Sequence, residues 1–418
     1  MRSFGFLWSS SALSNLADGV LKVGAPLMAV GLTRSPGEVA LVGVATTLPW
    51  LLLALPAGAV ADRVDRRRVM VLANVLRAVL LVAAGLVAWS GGLGLWVLAA
   101  AVLLSGTAEV FADSSAQSIL PMTVPADRLT WANGRIVGAQ TIGNDFIGSP
   151  VAGLLVTLLP AAVLGAPGLL YGAAALLLLG MRGAFRPSPA SPAPGAGAGG
   201  GRSMAADIGE GLRYLWGHRF LRRLAISSGM LNLASAAFFA VFVLWAVGPG
   251  SRIGLTPEAY GLMMTAFAAG AVAGSLVSER VVRWAGEGPA LVGSWLVNSL
   301  LLAVPVLVPH PAALFPAAVA WGLTNAWSNV IVISVRQRII PEGLLGRVNS
   351  AYRLIGMGGM PVGAAVAGVM GETWGLPSVF YGAVGVCVAA VFLIYRGLRA
   401  RDTRSASANF TGVEQHLR

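Results

Sequence analysis

The chain has 418 residues, of which 56% are hydrophobic and only 11% are charged, and its mean hydropathy is +0.76. A soluble domain of this length cannot bury so much apolar surface, so the composition excludes a soluble protein and predicts several membrane crossings. The net charge of +12 at pH 7 does not indicate nucleic-acid binding, because the basic residues are concentrated in short loops between apolar runs.

Apolar runs separated by short loops predict an all-α integral membrane fold with twelve spanning helices, which we number spans 1 to 12. Of the 29 Lys and Arg residues, 24 fall on the side of the N-terminus and 2 on the opposite side. The positive-inside rule therefore predicts a multi-pass protein of the inner (cytoplasmic) membrane with both termini in the cytoplasm. The predicted spans are 5–31, 39–61, 69–89, 95–120, 134–158, 162–181, 221–247, 258–279, 289–308, 312–335, 347–371 and 376–396.

The middle of the chain predicts a division into two bundles of six helices. The stretch from Arg186 to Arg202 consists almost entirely of Pro, Ala, Ser and Gly, which cannot form a packed core. An amphipathic helix is predicted from Ser203 to Leu215, lying on the membrane surface. The predicted parts are an N-terminal bundle (1–182), a cytoplasmic linker with the amphipathic helix (183–220), a C-terminal bundle (221–396) and a cytoplasmic tail (397–418).

The two halves repeat each other at an offset of about 216 residues. Pro125 to Asn133 matches Pro341 to Asn349, and Gly148 to Gly153 matches Gly363 to Gly368 with a shift of one residue. Because each half contains six spans, both halves have the same orientation. The sequence therefore predicts a parallel repeat with its pseudo-twofold axis along the membrane normal.

A charged loop follows span 2, where Gly58-Ala-Val-Ala-Asp62-Arg63-Val-Asp65-Arg66-Arg67-Arg68 leaves the membrane. A glycine at position 58 allows another helix to approach closely, and Asp62 is placed to face the N-terminus of a neighbouring helix. Two interpretations remain open at this stage: the motif stabilises one conformational state, or its arginines only fix the topology.

Away from the ends of the predicted spans lie seven charged side chains, each of which costs about 2.5–3.5 kcal/mol at mid-helix. Asp18 and Lys22 are four residues apart on span 1, so they share a face and can form an ion pair. Glu109 and Asp113 have the same spacing on span 4, so one of them is expected to keep its proton unless a cation intervenes. Pairing of Asp113 with an arginine is the alternative, and for Asp18 and Lys22 a purely structural pair is equally open. The remaining three are Arg77, Asp145 and Arg353.

The pattern Gly58-x-x-x-Asp62-Arg63-x-x-Arg66-Arg67 resembles the loop motif of the major facilitator superfamily, and the parallel repeat of six spans resembles that superfamily over the whole chain. Two further stretches are similar to the twelve-helix drug:proton antiporter branch that includes macrolide and enterobactin exporters. They are Leu55 to Arg63 and Arg336 to Arg353. Two departures are Asp65, where the motif usually has glycine, and the second copy of the motif, which has Ser278 and Glu279.

The resemblance implies that spans 1, 4, 7 and 10 line a central cavity, and that Asp62 contacts the start of span 11, near Arg353, when the cavity faces outward. Aromatic residues of spans 7 and 10, Trp321 among them, are expected either to form an apolar wall for a lipophilic substrate or to pack in the core. The expected polar lining is Asn15, Asp18 and Lys22, then Glu109 and Asp113, then Asn232 and Ser235, then Thr324, Asn325 and Asn329, with Asp145 on span 5 as a further candidate.

Other chemistry has little support, because the chain contains no Gly-x-x-x-x-Gly-Lys-Ser/Thr loop and no His-Glu-x-x-His motif. We expect no cofactor, no metal and no enzyme activity. The expected function is proton-coupled export of a lipophilic or amphiphilic small molecule by a monomer, with the proton on Asp18 or on Glu109 and Asp113. The alternatives are a lysophospholipid or other lipid flippase, an importer, a substrate-sensing receptor and an integral membrane enzyme acting on lipid.

Overall fold

The computed structural model describes the backbone of residues 2–61, 63–183, 185–186 and 204–416, and the side chains of these residues except 204–208, 342 and 399–416. The described chain is helical apart from turns and one isolated bridge between Val247 and Leu255. The spans consist of helices at Arg2–Leu32, Pro36–Ala61, Arg66–Trp89, Leu95–Ile119, Leu129–Thr141 continued by Ile142–Gly148 and Ser149–Leu158, Ala162–Leu179, Arg219–Ala246, Pro257–Ala285, Glu287–Leu301 continued by Val304–Leu307, Pro311–Ile339, Leu345–Trp374 and Leu376–His416.

Within the described residues, ten helices are long and apolar enough to cross a membrane. The other two predicted spans are also present as helices. Span 1 is a continuous helix of 31 residues whose mean hydropathy is lowered by Asn15, Asp18 and Lys22. Span 5 is divided into three pieces by a π-helical segment, Ile142–Gly148. The helices confirm the predicted all-α membrane fold.

Two spans depart from a regular α-helix. In span 5 a π-helical turn lies between the two α-helical pieces of the span, and π-bulges frequently mark functional sites. In span 9 the helix stops at Leu301 and resumes at Val304, with Pro305 in the first turn of the second piece. Proline is tolerated there because the first backbone N–H groups of a helix have no intrahelical acceptor.

Each half packs as a bundle, and the halves meet mainly along two pairs of spans. In the N-terminal half span 3 packs on span 6 and span 2 on span 4; in the C-terminal half span 8 packs on span 10 and span 7 on spans 11 and 12. Between the halves, span 2 packs on span 11 and span 5 on span 8. The division into bundles at 1–182 and 221–396 is consistent with this packing.

The contact between the halves is closest at the end of the molecule that carries residues 33–35, which we call the Arg34 side. There Glu372 at the end of span 11 accepts hydrogen bonds from the Ser35 hydroxyl (2.9 Å) and from the Gly37 backbone N–H (3.2 Å), at the start of span 2. Arg34 donates to the carbonyl of Val247, at the end of span 7 (3.2 Å). A Cβ atom on Gly368 would lie 2.9 Å from the Cβ of Ala40, so the two helices are in direct contact.

The predicted amphipathic helix is present at Met204–Gly217 and docks on the C-terminal half. Leu215 is fully buried, and Glu210 forms an ion pair with Arg347 at the start of span 11 (3.0 Å). Most of the Pro/Ala/Gly linker, 187–203, lies outside the described residues. The last helix continues without a break from Leu376 to His416, past the predicted end of span 12 at 396.

Candidate functional site

A cavity of about 350 Å³ lies between the two halves at the level of the middle of the spans. The N-terminal half supplies its polar wall, and span 11 supplies two methionines opposite that wall. The lining side chains are Asn15, Asp18, Leu21 and Lys22 of span 1, Thr46, Thr47 and Trp50 of span 2, Arg77 of span 3, Val102, Ser105, Gly106, Glu109 and Asp113 of span 4, Gln140 and Asn144 of span 5, and Met357 and Met360 of span 11.

Arg77 is the centre of the polar wall. Its Nη2 atom donates both to Oδ1 of Asp18 and, over 3.1 Å, to Oε2 of Glu109. Its Nε atom donates to the Ser105 hydroxyl (3.1 Å), and the guanidinium lies 3.8 Å from the centre of the Tyr171 ring. These contacts explain how a guanidinium that is only 3% exposed is accommodated inside a membrane bundle.

Arg77 cannot balance both carboxylates, because it has one positive charge and contacts Asp18 and Glu109 through the same nitrogen atom, and Lys22 and Asp113 add one charge of each sign to the cavity wall. A bidentate pair would use both terminal nitrogens of the guanidinium on one carboxylate. Glu109 is 28% exposed and Asp18 19% exposed, so both carboxylates are more accessible from the cavity than Arg77, whose side chain is 3% exposed. A proton on one carboxylate, or a cation entering the cavity, would relieve the excess negative charge.

The charge pairing differs from the pairing that helical spacing predicts. Asp18 pairs with Arg77 of span 3 rather than with Lys22, and Arg77 takes Glu109 rather than Asp113 as its second partner. Lys22 and Asp113 line the cavity, and within the described part of the chain neither forms an ion pair within 4 Å. The i,i+4 spacing shows which side chains share one face of a helix. The packing of span 3 against spans 1 and 4 decides which of them form ion pairs.

Asp145 lies in the π-helical segment beside the cavity, although it does not line it. Its backbone carbonyl, freed from the regular helix pattern, accepts a hydrogen bond from Thr265 of span 8 (2.9 Å). Span 1 approaches the same segment closely, since a Cβ atom on Gly19 would lie 2.3 Å from the carbonyl oxygen of Asn144. The segment is thus held by both halves, by Gly19 on one side and Thr265 on the other.

The predicted C-terminal site residues do not reach this cavity. Asn232 donates to the carbonyl of Gly356 on span 11 (3.0 Å), and Asn325 is exposed on span 10. Trp321 is 9% exposed and stacks on Phe239 with ring centres 5.1 Å apart. Spans 7 and 10 are therefore replaced in the lining by spans 2, 5 and 11, whereas spans 1 and 4 line it as expected. The aromatic group packs mainly on itself, around a void of about 30 Å³.

In the loop after span 2, the arginines bind the C-terminal ends of neighbouring helices. Arg66 donates to the carbonyls of Ala61 (3.0 Å) and Ser118 (3.1 Å), which end spans 2 and 4. Arg67 donates to the carbonyls of Leu178 (2.8 Å) and Leu179 (2.5 Å), which end span 6. A cation at a helix C-terminus meets unpaired carbonyls and the negative end of the helix dipole, so these contacts are stabilising.

The other motif residues have distinct positions. Asp65 caps span 3 by accepting from the backbone N–H of Arg68 (3.2 Å), which explains an acidic residue where the superfamily motif has glycine. Gly58 has open space where its Cβ would be, and Arg63 is exposed. Asp62 lies outside the described residues. Arg353 lines a second cavity of about 160 Å³ that continues from the first, sharing Trp50 and Met357 with it.

Sequence reasoning named Arg77 as an intramembrane charge but did not place it at the centre of the site. It missed Tyr171 altogether, although this is the one polar side chain in the helix Ala162–Leu179. A lone tyrosine in an otherwise aliphatic span was the available signal, because a buried hydroxyl needs a hydrogen-bond partner. Trp50 and the methionines Met357 and Met360 carried no distinguishing signal.

Comparison with known proteins places the chain in a class. The family described as transmembrane secretion effector matches residues 1–416, so the chain belongs to this family of the major facilitator superfamily. Solved structures agree on the fold: the nucleoside transporter NupG and a bacterial homologue of the iron transporter ferroportin each superpose with a TM-score of 0.73 at 16% identity. They cover 95% of this chain and 99% and 98% of their own. The protein is a multi-pass membrane transporter and not an enzyme.

Two named relatives are exporters. The chain is 28% identical to the multidrug efflux pump Tap of Mycobacterium tuberculosis over 409 residues, covering 94% of this chain and 93% of the pump. It is 24% identical to the enterobactin exporter EntS of Shigella dysenteriae over 388 residues, covering 88% of this chain and 85% of the exporter.

Proposed function

We propose that this protein exports a lipophilic or amphiphilic small molecule, such as a drug, antibiotic or siderophore, across the cell membrane in exchange for protons. The observation that carries the proposal is the shared Arg77, which balances only one of the two carboxylates, Asp18 and Glu109, that face the cavity. The named exporters among the relatives support the direction of transport. The proton gradient is the energy source, and a single chain without a cofactor forms the pathway.

The proposed orientation has both termini in the cytoplasm, which makes the Arg34 side the outer face. The halves are in contact on that side through Glu372 and Arg34, whereas the second cavity, beside Arg353, lies toward the opposite side. This arrangement corresponds to a state in which the substrate cavity is reached from the cytoplasm. Rocking of the two halves would close the cytoplasmic side and open the Arg34 side.

Glu109 is the proposed exchangeable carboxylate. When Glu109 is ionised, it competes with Asp18 for Arg77, and binding of a substrate with a cationic or hydrogen-bond-donating group lowers the cost of that second negative charge. When Glu109 is protonated, Arg77 pairs with Asp18 alone, and these three groups together carry no net charge. Alternation between these two arrangements links substrate exchange to proton exchange, because each occupant favours the absence of the other.

Inverted membrane vesicles holding a respiration-generated pH gradient test this proposal. Lipophilic cations, macrolides and siderophores are added in turn, and a pH-sensitive dye reports proton movement. We expect at least one compound to evoke proton efflux from the vesicles, and Glu109→Gln to abolish the response. Glu38→Gln is the matched control, because Glu38 is an exposed carboxylate that accepts a hydrogen bond from Thr33, within the N-terminal half.

Two results would contradict the proposal. One is the absence of a response to every compound from protein that is folded by its gel-filtration profile, which would redirect attention to lipid substrates. The other is an unchanged response in Glu109→Gln, which would remove Glu109 from the proton pathway.

A further inference from the structure

Tyr171 makes two contacts with the charged cluster from a helix that does not line the cavity. Its hydroxyl donates to Oδ1 of Asp18 over 2.6 Å, and its ring lies 3.8 Å below the guanidinium of Arg77. The side chain is fully buried between spans 1, 3 and 6. Tyr171 therefore touches both members of the ion pair without access to substrate.

The two carboxylates that bind Arg77, Asp18 and Glu109, accept hydrogen bonds from different numbers of donors. Oδ1 of Asp18 accepts from both Arg77 and Tyr171, whereas among the residues that the structure describes Oε2 of Glu109 accepts from Arg77 alone. Hydrogen bonds donated to a carboxylate favour its ionised form, and two donors on one oxygen favour it more than one. Glu109 is also the more exposed of the two, so it exchanges a proton with the cavity more easily.

We propose that Tyr171 is a positioning residue that keeps Asp18 ionised as a fixed counter-ion of Arg77, so that of the two carboxylates bound to Arg77 it is Glu109 that exchanges the proton. The proposal rests on the proton-coupled export proposed above and deepens it by dividing the roles of the two carboxylates. Without the tyrosine hydroxyl, Asp18 has one donor fewer and becomes a second proton acceptor.

Other ionisable groups around the cluster enter any pH measurement. Lys22 on span 1 and Asp113 on span 4 line the cavity, and Asp145 lies beside it in the π-helical segment of span 5, whereas the lining residues of spans 2 and 11 do not titrate. All of them are retained in the Tyr171→Phe variant, which keeps the ring beneath Arg77 and removes only the hydroxyl. A change in the pH profile of this variant is therefore a change in the hydrogen bond to Asp18.

The experiment compares the pH profile of gradient-driven efflux for wild type and Tyr171→Phe in the same vesicles. We expect the profile of the variant to move toward alkaline pH by about one pH unit, a tenfold change in proton affinity that equals about 1.4 kcal/mol. Tyr260→Phe is the control, because Tyr260 is a buried tyrosine of span 8 that contacts Phe242 and not the cluster. The Asp18→Asn background provides the second comparison, in which Tyr171→Phe should cause no further shift.

An infrared measurement on purified protein keeps this inference separate from the transport proposal. The carboxylic-acid C=O stretch of Asp18 is identified as the band that Asp18→Asn removes from the spectrum of Tyr171→Phe. This band should be absent from wild type over a range of about pH 5–8 around physiological pH, and present in Tyr171→Phe at the acidic end of that range. If wild type shows no proton coupling, the proposed function fails. If an Asp18 acid band occurs in wild type, or Tyr171→Phe matches wild type in both measurements, the role of Tyr171 is refuted.

Discussion

Replacing Arg77 by glutamine removes the cation that Asp18 and Glu109 share. In the structure this guanidinium is 3% exposed and is bound by two carboxylates, one hydroxyl and one aromatic ring. Breaking a buried ion pair by removing one partner typically costs about 3–5 kcal/mol. The carboxylates are 19% and 28% exposed and so retain some contact with water, which places the expected loss near the lower limit, at about 3 kcal/mol.

Thermal unfolding of the purified protein in detergent measures this loss. If the N-terminal half unfolds as a unit of about 180 residues, 3 kcal/mol corresponds to a fall in Tm of roughly 6–12 °C. The loss of stability caused by Arg77→Gln should be larger at pH 8 than at pH 5. At the lower pH a proton can bind to Asp18 or Glu109 and so compensate for the missing positive charge. Arg353→Gln is the control: this arginine lines the second cavity, and within the described residues it forms no ion pair, so its removal should change stability by less than about 0.5 kcal/mol.

The double variant Arg77→Gln with Asp18→Asn decides whether the pair itself is responsible. Because the double variant leaves one carboxylate without its cation, Glu109, where Arg77→Gln leaves two, it should be more stable than the sum of the single losses predicts, by about 0.5–3 kcal/mol. Additive losses, or a loss in Arg353→Gln as large as in Arg77→Gln, would refute the assignment of this cluster as an ion-paired centre.

Two further predictions concern the contact between spans. Glu372→Gln should weaken the Arg34 side and shift the equilibrium toward the state open on that side by about fivefold, the effect of about 1 kcal/mol for an exposed charge-assisted contact. Spin-label distances between Leu158→Cys and Leu307→Cys, both exposed at that end, measure the shift, and equal distances in Glu372→Gln and the Glu38→Gln control would contradict it. Gly19→Ala should lower the free energy of unfolding by about 1–3 kcal/mol, because its Cβ would lie 2.3 Å from the backbone of Asn144. Gly31→Ala, with open space around its Cβ, should be neutral or stabilising, and equal unfolding free energies for the two variants would show that span 5 moves aside freely.

The loop after span 2 shows how far motif recognition reaches. The sequence motif correctly drew attention to the arginines, but their observed role, binding the ends of spans 2, 4 and 6, depends on where those helices end in space. The conformational role of Asp62 and Arg353 remains a prediction. Glu372, which closes the opposite end of the same pair of spans, has no motif around it and was not predicted.

The cavity shows a similar limit. The intramembrane charges of spans 1 and 4 identified the polar wall, because charges in spans are rare and costly enough to stand out without a structure. The share of the C-terminal half was not predictable in the same way. Asn232 was expected to face the cavity, yet it donates a hydrogen bond to span 11. For Trp321 the sequence left a cavity wall and core packing open, and it packs in an aromatic cluster, because the rotation of a helix about its own axis decides which face it presents.

The amino-acid sequence by itself determined that this protein is an all-α membrane transporter of twelve spans, because hydropathy, basic loops and an internal repeat are properties of the linear chain. Only the tertiary structure decided that Arg77 binds both Asp18 and Glu109 and that Tyr171 donates a hydrogen bond to Asp18. Arg77 and Tyr171 are 59 and 153 positions away from Asp18 along the chain. The physical reason is that local spacing gives which side chains share one helix face, whereas an ion pair between helices depends on the packing and rotation of several spans at once.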